Sequence, residues 1–270
     1  AIANRLVNPM GMIHPFELAE EEGVGLAEVG AGFVTAAALL GLEPLWETLE
    51  TTAMPEPARL ALFDAVALAL RGHIADLLRA SGGAIAPQAL QQRLQPLVDT
   101  LSAQADSLPG DAARGAAAAT AARLVGLGAP PALAAATARL GTLDGAIGLA
   151  VLAGESGEAP DVLAAGFVAL GSALGIDWAQ AQAAAMTPAD PWERLLVAGL
   201  ARDFQQMRLH FLRQHAGDGG TPVVQVNRWV AANTAQIARL QRAIRRAQAA
   251  MPVSPAMLAQ LASQARNLLG

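Results

Sequence analysis

Two glycines near the start of the sequence have the spacing of a phosphate-binding loop. Residues 29–36 read VGAGFVTA, which places Gly30 and Gly32 two residues apart. A dinucleotide-binding loop follows a buried strand, carries a third glycine three residues after the second, and begins a helix. Thr35 occupies that third position, and the preceding residues, LAEEEGVGLAE, are acidic and predict a helix. We therefore interpret the string as a packing helix whose small residues allow close approach, and not as a cofactor site.

Histidines and a run of glutamates are the other side chains that could do chemistry. His210 and His215 are five residues apart, whereas a zinc-binding helix places two histidines four apart on one face. We predict that these two, like His14 and His73, are hydrogen-bonded or exposed rather than metal ligands. The contiguous acids Glu20–Glu22 point to three sides of a helix, so we expect a solvated face there. No arrangement of serine, histidine and aspartate indicates a nucleophile. The sequence predicts no catalytic, cofactor-binding or metal-binding residue.

All eighteen basic residues are arginine, and the chain contains neither lysine nor cysteine. Without lysine the chain cannot form a Schiff base or complete a P-loop. Without cysteine it has no thiolate ligand, no thiol nucleophile and no disulfide. A chain without cysteine forms no disulfide, which fits a reducing compartment, and we expect a cytoplasmic location.

Charge is distributed unevenly along a chain whose net charge is −5. Residues 1–64 contain ten acids and two arginines, whereas residues 200–270 contain nine arginines and two aspartates. Four of these arginines have helical spacing: Arg239, Arg242, Arg245 and Arg246. We favour the solvated face of an amphipathic helix, with the acidic N-terminal part as a pairing partner. The alternative is a basic surface for an acidic partner. Because no aromatic residues alternate with the arginines, we expect no nucleic acid there.

The composition predicts an all-α fold. Apolar residues make up 53% of the chain, but Ala and Leu dominate, Tyr is absent and Phe is scarce. This balance favours helices over strands. Residues 222–226, PVVQV, are the only β-like stretch. Proline and glycine signals predict helices at residues 15–22, 26–40, 43–52, 57–80, 87–106, 110–126, 130–140, 143–153, 159–174, 177–186, 189–215, 222–250 and 254–268.

No segment predicts a membrane span, although the mean hydropathy is +0.36. The longest charge-free apolar run of a predicted helix, residues 162–176, is shorter than the roughly 20 residues that cross a bilayer. The N-terminal residues lack a basic segment followed by an apolar one, so we expect no signal peptide.

A helical unit is predicted to occur twice. AGFVTAAALLGL at 31–42 recurs as AGFVALGSALGI at 165–176, and the flanking residues align at the same offset of 134. The phenylalanine and the final glycine are kept between the copies. The glycine pair is not kept, since Ala164 stands at the position of Gly30. What is repeated is therefore an apolar helix and its end.

The apolar positions of the two copies correspond along two helices. Each set has the 3.6-residue period of a buried helix face. In the first helix they are Val29, Phe33, Ala36 and Leu40 against Leu163, Phe167, Leu170 and Leu174; in the following long helix they are Leu62, Val66, Leu70 and Leu77 against Leu196, Leu200, Phe204 and Phe211. We predict a helical bundle of two similar four-helix units plus a C-terminal helix pair. The predicted segments are a first repeat unit at 1–80, an Ala-rich helical insert at 81–142, a second repeat unit at 143–220 and the helix pair at 221–270.

Single glycines and tryptophans carry the remaining structural predictions. Gly41 and Gly175 end their helices and are each followed by an apolar residue, as helix-capping glycines are. The tryptophans lie beside apolar neighbours, so we interpret them as core or interface anchors. They are Trp46, Trp178, Trp192 and Trp229.

Several segments, in order, resemble one enzyme family. ANRLVNPMGMIHPFELAEEEG at 3–23 resembles the stretch that follows the catalytic region in the large bacterial type of NAD-specific glutamate dehydrogenase. APDVLAAGFVALGSALGIDW at 159–178 and DPWERLLVAGLARDFQQMRLHFL at 190–212 resemble later helices of that family, and MLAQLASQARNLLG at 257–270 resembles its C-terminal end. Pro9 is a departure, because the family more often carries a basic residue there.

The resemblance implies a non-catalytic, all-helical C-terminal domain of an enzyme that converts L-glutamate and NAD to 2-oxoglutarate, ammonium and NADH. The family's catalytic and glutamate-binding lysines, its catalytic aspartate and its dinucleotide glycines belong to the upstream region. None is assigned to a residue here, and NAD is implied for the parent enzyme alone. The implied role is assembly, bracing or regulation of the catalytic domain of the same polypeptide, in a homo-oligomeric parent.

Two alternatives stay open. One is a free-standing helical interaction module whose basic C-terminal helices bind an acidic partner. The other is a small-molecule sensor pocket between the two repeats, which is compatible with the C-terminal domain.

Overall fold

A computed structural model shows a chain built from helices. It describes residues 14–81, 87–103, 111–142, 145–186, 188, 190–250 and 252–270, and no strand occurs among these residues. The prediction of an all-α bundle is confirmed. The described helices are α1 Pro15–Glu22, α2 Leu26–Leu39, α3 Leu42–Thr51, α4 Glu56–Ser81, α5 Pro87–Ala103, α6 Asp111–Gly126, α7 Pro131–Thr142, α8 Ala146–Ser156, α9 Pro160–Leu174, α10 Ile176–Ala185, α11 Pro191–Gln214, α12 Pro222–Ala232, α13 Thr234–Ala249 and α14 Pro255–Leu269.

Proline and glycine set most of the helix boundaries. Seven of the described helices begin at a proline, which lacks the N–H group that the first turn leaves unused. Gly41 and Gly175 have left-handed φ values of 59° and 75°, so the prediction that these glycines cap their helices is confirmed. Where residues are described, the predicted helix limits agree with the structure to within three residues, except at 222–250.

The predicted helix 222–250 is wrong in one respect, because it is two helices. α12 ends at Ala232 and α13 begins at Thr234, and Asn233 between them has φ −116° and ψ 21°. The Asn233 side-chain amide donates to the Trp229 carbonyl at 2.9 Å, which closes the first helix. The C-terminal part therefore contains three helices instead of the predicted pair. The β-like residues 222–226 are helical and begin α12.

The described residues form two compact units. The first contains those between 14 and 103 and between 117 and 155, and the second contains those between 111 and 116 and between 156 and 270. The four segments predicted from the sequence are finer than this division and stay a prediction.

In the first unit α2 and α4 are the central helices. α2 packs against α1, α3, α4 and α5, and α4 also packs against α7. α4 buries Leu62, Val66, Leu70 and Leu77, as predicted, and each buried leucine contributes roughly 1.5–3 kcal/mol. Trp46 of α3 is buried, as a core anchor should be, with its ring 4.9 Å from that of Phe63.

In the second unit α11 packs against α9, α10 and α14, while α9 also packs against α12. Leu200, Phe204 and Phe211 of α11 are buried, as predicted. Leu196 is 53% exposed, so the prediction is wrong there. α11 has 24 residues and is about 36 Å long, whereas the helices packed on it have 15 or fewer. The 3.6-residue spacing of apolar residues shows which side of a long helix is buried. It does not show which turns along that helix the neighbouring helices cover.

Three consecutive helices of the first unit correspond to three of the second. α2 and α9 start 134 residues apart, as do α3 and α10, and α4 and α11 start 135 apart. On α2 and α9 the predicted apolar faces are buried, except that Leu40 is half-buried. This agreement supports the predicted duplication, which stays a prediction.

No single helix among the described residues is long and apolar enough to cross a bilayer. Among the described helices, two consecutive pairs reach that length and composition when joined, α1 with α2 and α9 with α10, and these pairs are bent by 104° and 96°.

Candidate functional site

The glycine pair of the opening motif lies inside a helix. Gly30 and Gly32 are residues of α2, and Thr35 donates its hydroxyl hydrogen to the Ala31 carbonyl at 2.9 Å. Because the N–H groups of a helix interior bond to their own helix, this segment does not fit the pyrophosphate of NAD. The interpretation as a helix is confirmed. Close packing does not explain Gly30, however, since a Cβ atom there would meet nothing within 4 Å.

A buried arginine joins three helices of the second unit. Arg208 of α11 is 4% exposed, and its Nη1 donates to Oδ1 of Asp177 in α10 at 2.8 Å. Its guanidinium carbon lies 4.2 Å from the centre of the Phe167 ring in α9, in a cation–π contact. Its Nε donates to the Phe204 carbonyl at 3.2 Å. The second carboxylate oxygen of Asp177 accepts a hydrogen bond from Ser172 at 3.2 Å.

Gly171 of α9 provides the space for this ion pair. A Cβ atom at position 171 would lie 2.6 Å from Nη1 of Arg208 and still closer to the Asp177 carboxylate. We call Phe167, Gly171, Ser172, Asp177 and Arg208 the Arg208 cluster. Its acid and its base neutralise each other, so the arrangement serves to hold α9, α10 and α11 together.

The Arg208 cluster was not predicted from the sequence, although one signal for it was present. Arg208 follows Phe204 by four residues and therefore lies on the apolar face of α11. A charged residue on such a face is buried only when a partner compensates it. His73 of α4 is likewise a polar residue on an apolar helix face, because Leu70 and Leu77 lie three residues before it and four after it.

His73 is fully buried, and neither ring nitrogen has a hydrogen-bond partner among the described residues. The prediction that it is hydrogen-bonded or exposed is therefore wrong. Burial lowers the pKa of His73 from 6.5 to about 4, because charging the ring in an apolar interior is costly. The ring is neutral at pH 7.

The other three histidines differ in their surroundings. His210 is exposed, and Nδ1 of the half-buried His215 lies 2.6 Å from an Asp218 carboxylate oxygen. His14 is half-buried, with Nδ1 3.8 Å from Glu17. Among the described residues no three histidine or acidic side chains are grouped so that they could hold a metal ion.

The sequence led us to expect a solvated face at Glu20–Glu22, but only part of this trio is solvated. Glu20 is exposed, but Glu21 pairs with the buried Arg71 of α4 at 2.8 Å. Glu22 pairs with Arg79 at 2.8 Å, and its side chain is only 5% exposed. Two acids of α1 therefore attach this short helix to α4.

The four tryptophans differ in exposure. Trp46 is buried, and Trp229 is half-buried with its ring edge-on to Phe211 at 5.2 Å. Trp178 is half-buried. Trp192 is 65% exposed at the start of α11, so it is not a core residue, and an interface role stays a prediction.

The arginine stripe of α13 is exposed, as predicted for the solvated side of an amphipathic helix. Ile237, Leu240 and Ile244 form the buried side. The exposed side carries Arg239, Arg242, Arg245 and Arg246, and no carboxylate of the described residues forms an ion pair with any of them. This stripe is therefore a basic surface that the described part of the chain does not neutralise.

Comparison with known proteins agrees with the resemblance drawn from the sequence. Residues 1–267 match the model of the family described as glutamate dehydrogenase, C-terminal. The chain is also 25% identical over 239 residues to the NAD-specific glutamate dehydrogenase of Halomonas elongata, covering 85% of this chain and 14% of that protein. The all-helical architecture and the family match together lead to one assignment: the chain belongs to the glutamate dehydrogenase C-terminal family.

Proposed function

We propose that this chain is the non-catalytic C-terminal domain of an NAD-dependent glutamate dehydrogenase, in which it assembles, braces or regulates the catalytic domain. The parent enzyme converts L-glutamate and NAD to 2-oxoglutarate, ammonium and NADH. The family match over residues 1–267 and the likeness to the Halomonas elongata enzyme support this parent. The chain spans only 14% of that relative, so the activity belongs to a much longer polypeptide.

The proposal rests on the partners of the buried arginines, which belong to the same chain. Arg208 is neutralised by Asp177, and Arg71 is bound to Glu21 and to the His14 carbonyl at 3.0 Å. Each of the two ion pairs joins two helices. A side chain that binds substrate or moves a proton has to face the reacting atoms. These side chains face their own fold instead, as expected of a bracing domain.

The parent's other properties follow from the same proposal. NAD is bound by the remainder of the polypeptide, whose catalytic domain is the partner of this one. We further propose a homo-oligomeric parent in the cytoplasm, with no nucleic acid and no membrane among its partners.

Two measurements test the proposed function. The purified 270-residue chain is assayed for glutamate-dependent NADH formation by absorbance, beside the full-length parent. We expect turnover by the parent and none by this chain. The parent lacking this domain is then compared with the intact parent in oligomeric mass, thermal stability and activity, and at least one should change. Turnover by the isolated chain, or a truncated parent unchanged in all three, contradicts the proposal.

The exposed arginine stripe of α13 favours a second candidate, a free-standing interaction module that binds an acidic partner. Replacing Arg239, Arg242 and Arg246 by alanine distinguishes the two. Loss of a salt-sensitive partner, with no effect on the dehydrogenase, favours the module. Altered assembly of the full-length enzyme favours the C-terminal domain.

A further inference from the structure

A short helix of the first unit carries an exposed acidic stripe. Glu43, Glu47 and Glu50 of α3 are all exposed, and at 100° per residue they lie within about 60° of one another. The adjoining side of α3 buries Trp46 and Leu49. The Trp46 indole N–H donates to a Glu50 carboxylate oxygen at 2.9 Å, which fixes one end of the stripe. We call these three glutamates the acidic face.

The stripe on α13 has the matching shape and the opposite charge. Arg239, Arg242 and Arg246 also lie within about 60° of one another, and we call them the basic face. Residues 219–270 contain no aspartate or glutamate that could neutralise it locally. Each face spans eight residues of helix, and its first and last Cα atoms are about 10 Å apart along the axis.

The two faces have the same spacing when the helices run in opposite directions. The glutamates are separated by four residues and then three, and the arginines read backwards, from 246 to 239, are also separated by four and then three. An antiparallel pair of helices therefore brings each glutamate opposite one arginine, with Glu43 facing Arg246. That arrangement also places the start of α3 beside the end of α13, where the helix dipoles attract.

We propose that the acidic face of one copy of this chain binds the basic face of a second copy. Both faces are exposed, and no described residue supplies an ion-pair partner to Glu43, Glu47 or the three arginines. Because every copy carries both faces, two copies can form the contact twice, once in each direction. The inference rests on the proposed function in that it names the surface by which this domain assembles the parent.

An interface made of exposed ion pairs is sensitive to salt. Each such pair contributes little by itself, so the affinity depends on three pairs acting together in each contact. Charges at the protein surface are screened within about 10 Å at 0.1 M salt. We expect the dissociation constant of the dimer to rise by about tenfold or more between about 50 mM and about 500 mM NaCl.

Charge reversal of each face provides the test, with analytical ultracentrifugation of the full 270-residue chain as the measurement. One variant reverses the acidic face by Glu43→Arg, Glu47→Arg and Glu50→Arg. The other reverses the basic face by Arg239→Glu, Arg242→Glu and Arg246→Glu. Each variant then has two faces of like charge, and we expect each to be monomeric at low salt. An equimolar mixture of the two restores opposite charges at both contacts and should dimerise, as should a chain that carries both reversals. The matched control, Glu20→Arg with Glu158→Arg and Glu193→Arg, changes three exposed acids outside the faces and should dimerise like the wild type.

Three results overturn the proposal: a wild-type chain that stays monomeric at low salt, reversed variants that dimerise as well as the control, or a mixture that does not restore the dimer. If reversing a face changes the frictional ratio of the chain but not its molar mass, the contact forms within one copy. That result also refutes the proposal. NADH formation is measured separately. Its absence from the isolated chain upholds the proposed function even if this interface fails.

Discussion

Replacing His73 by methionine should stabilise the protein and remove part of its sensitivity to acid. Methionine is the matched choice because Met207, 134 residues later, is a buried residue on the corresponding helix α11. His73 buries two ring nitrogens that have no hydrogen-bond partner among the described residues. Leaving a polar group buried and unpaired costs about 1–3 kcal/mol, so His73→Met should raise the free energy of unfolding by about that amount at pH 7.5.

The acid sensitivity follows from the lowered pKa of His73. The ring takes up a proton at about pH 4 in the folded chain and at 6.5 in the unfolded chain. Below pH 6.5 the unfolded state therefore binds a proton that the folded state does not bind. As a result, the free energy of unfolding that is present above pH 6.5 decreases as the pH falls toward 4. The gap between the two pKa values corresponds to about 3 kcal/mol.

Urea unfolding followed by circular dichroism, at several pH values between about 4.5 and 7.5, measures both effects. We expect wild type and His73→Met to differ more at pH 4.5 than at pH 7.5. His210→Met is the control, because His210 is exposed and its replacement should leave the pH dependence unchanged. If His73→Met is less stable than wild type at pH 7.5, or keeps the same loss on acidification, then His73 is hydrogen-bonded and the reasoning fails.

Three further substitutions test contacts described above by the same unfolding measurement. Gly171→Ala should destabilise the protein by about 1–3 kcal/mol, because the added methyl group displaces the Arg208–Asp177 ion pair. Gly30→Ala, where the methyl group meets open space, should stabilise it by about 0.5–1 kcal/mol. Equal effects would contradict the close approach of Gly171 to the ion pair. Arg208→Met should cost about 3 kcal/mol by stranding Asp177, and adding Asp177→Asn should cost less than the sum of the two single changes; strict additivity would rule out the pair. The Arg59 guanidinium donates to the carbonyls of residues 49, 50 and 52 at 3.0–3.4 Å. Arg59→Gln should therefore lower the free energy of unfolding by about 1 kcal/mol, because the end of α3 loses these donors. An unchanged stability would show that water replaces the guanidinium.

The helix limits could be predicted because their causes are local. A proline starts a helix and a left-handed glycine ends one, as at Pro160 and Gly175, and both signals are visible in the sequence. The break at Asn233 has neither signal. It depends on a side-chain hydrogen bond to Trp229 that competes with the helix, and asparagine forms this bond in some helices and not in others.

The polar contacts could not be predicted because their partners are distant in sequence. Arg79 and Glu22 are 57 residues apart, and nothing near either of them indicates the other. The apolar period placed Leu196 on the buried face of α11, but exposure there depends on how far the neighbouring helices extend. The sequence alone predicted no functional site, and it interpreted the arginine stripe of α13 as the solvated face of a helix.

The Arg208 cluster also affects how the chain avoids pairing the wrong helices as it folds. Two similar apolar helices in one chain, α4 and α11, can compete for the same partners, and tandem units are prone to such exchange. The position of α4 that aligns with Arg208 is Ile74. With α4 in the place of α11, the Asp177 carboxylate would face an aliphatic side chain and lose its counter-charge. A single ion pair therefore gives the second unit a means of distinguishing α11 from α4, whose apolar residues occupy corresponding positions along the helix.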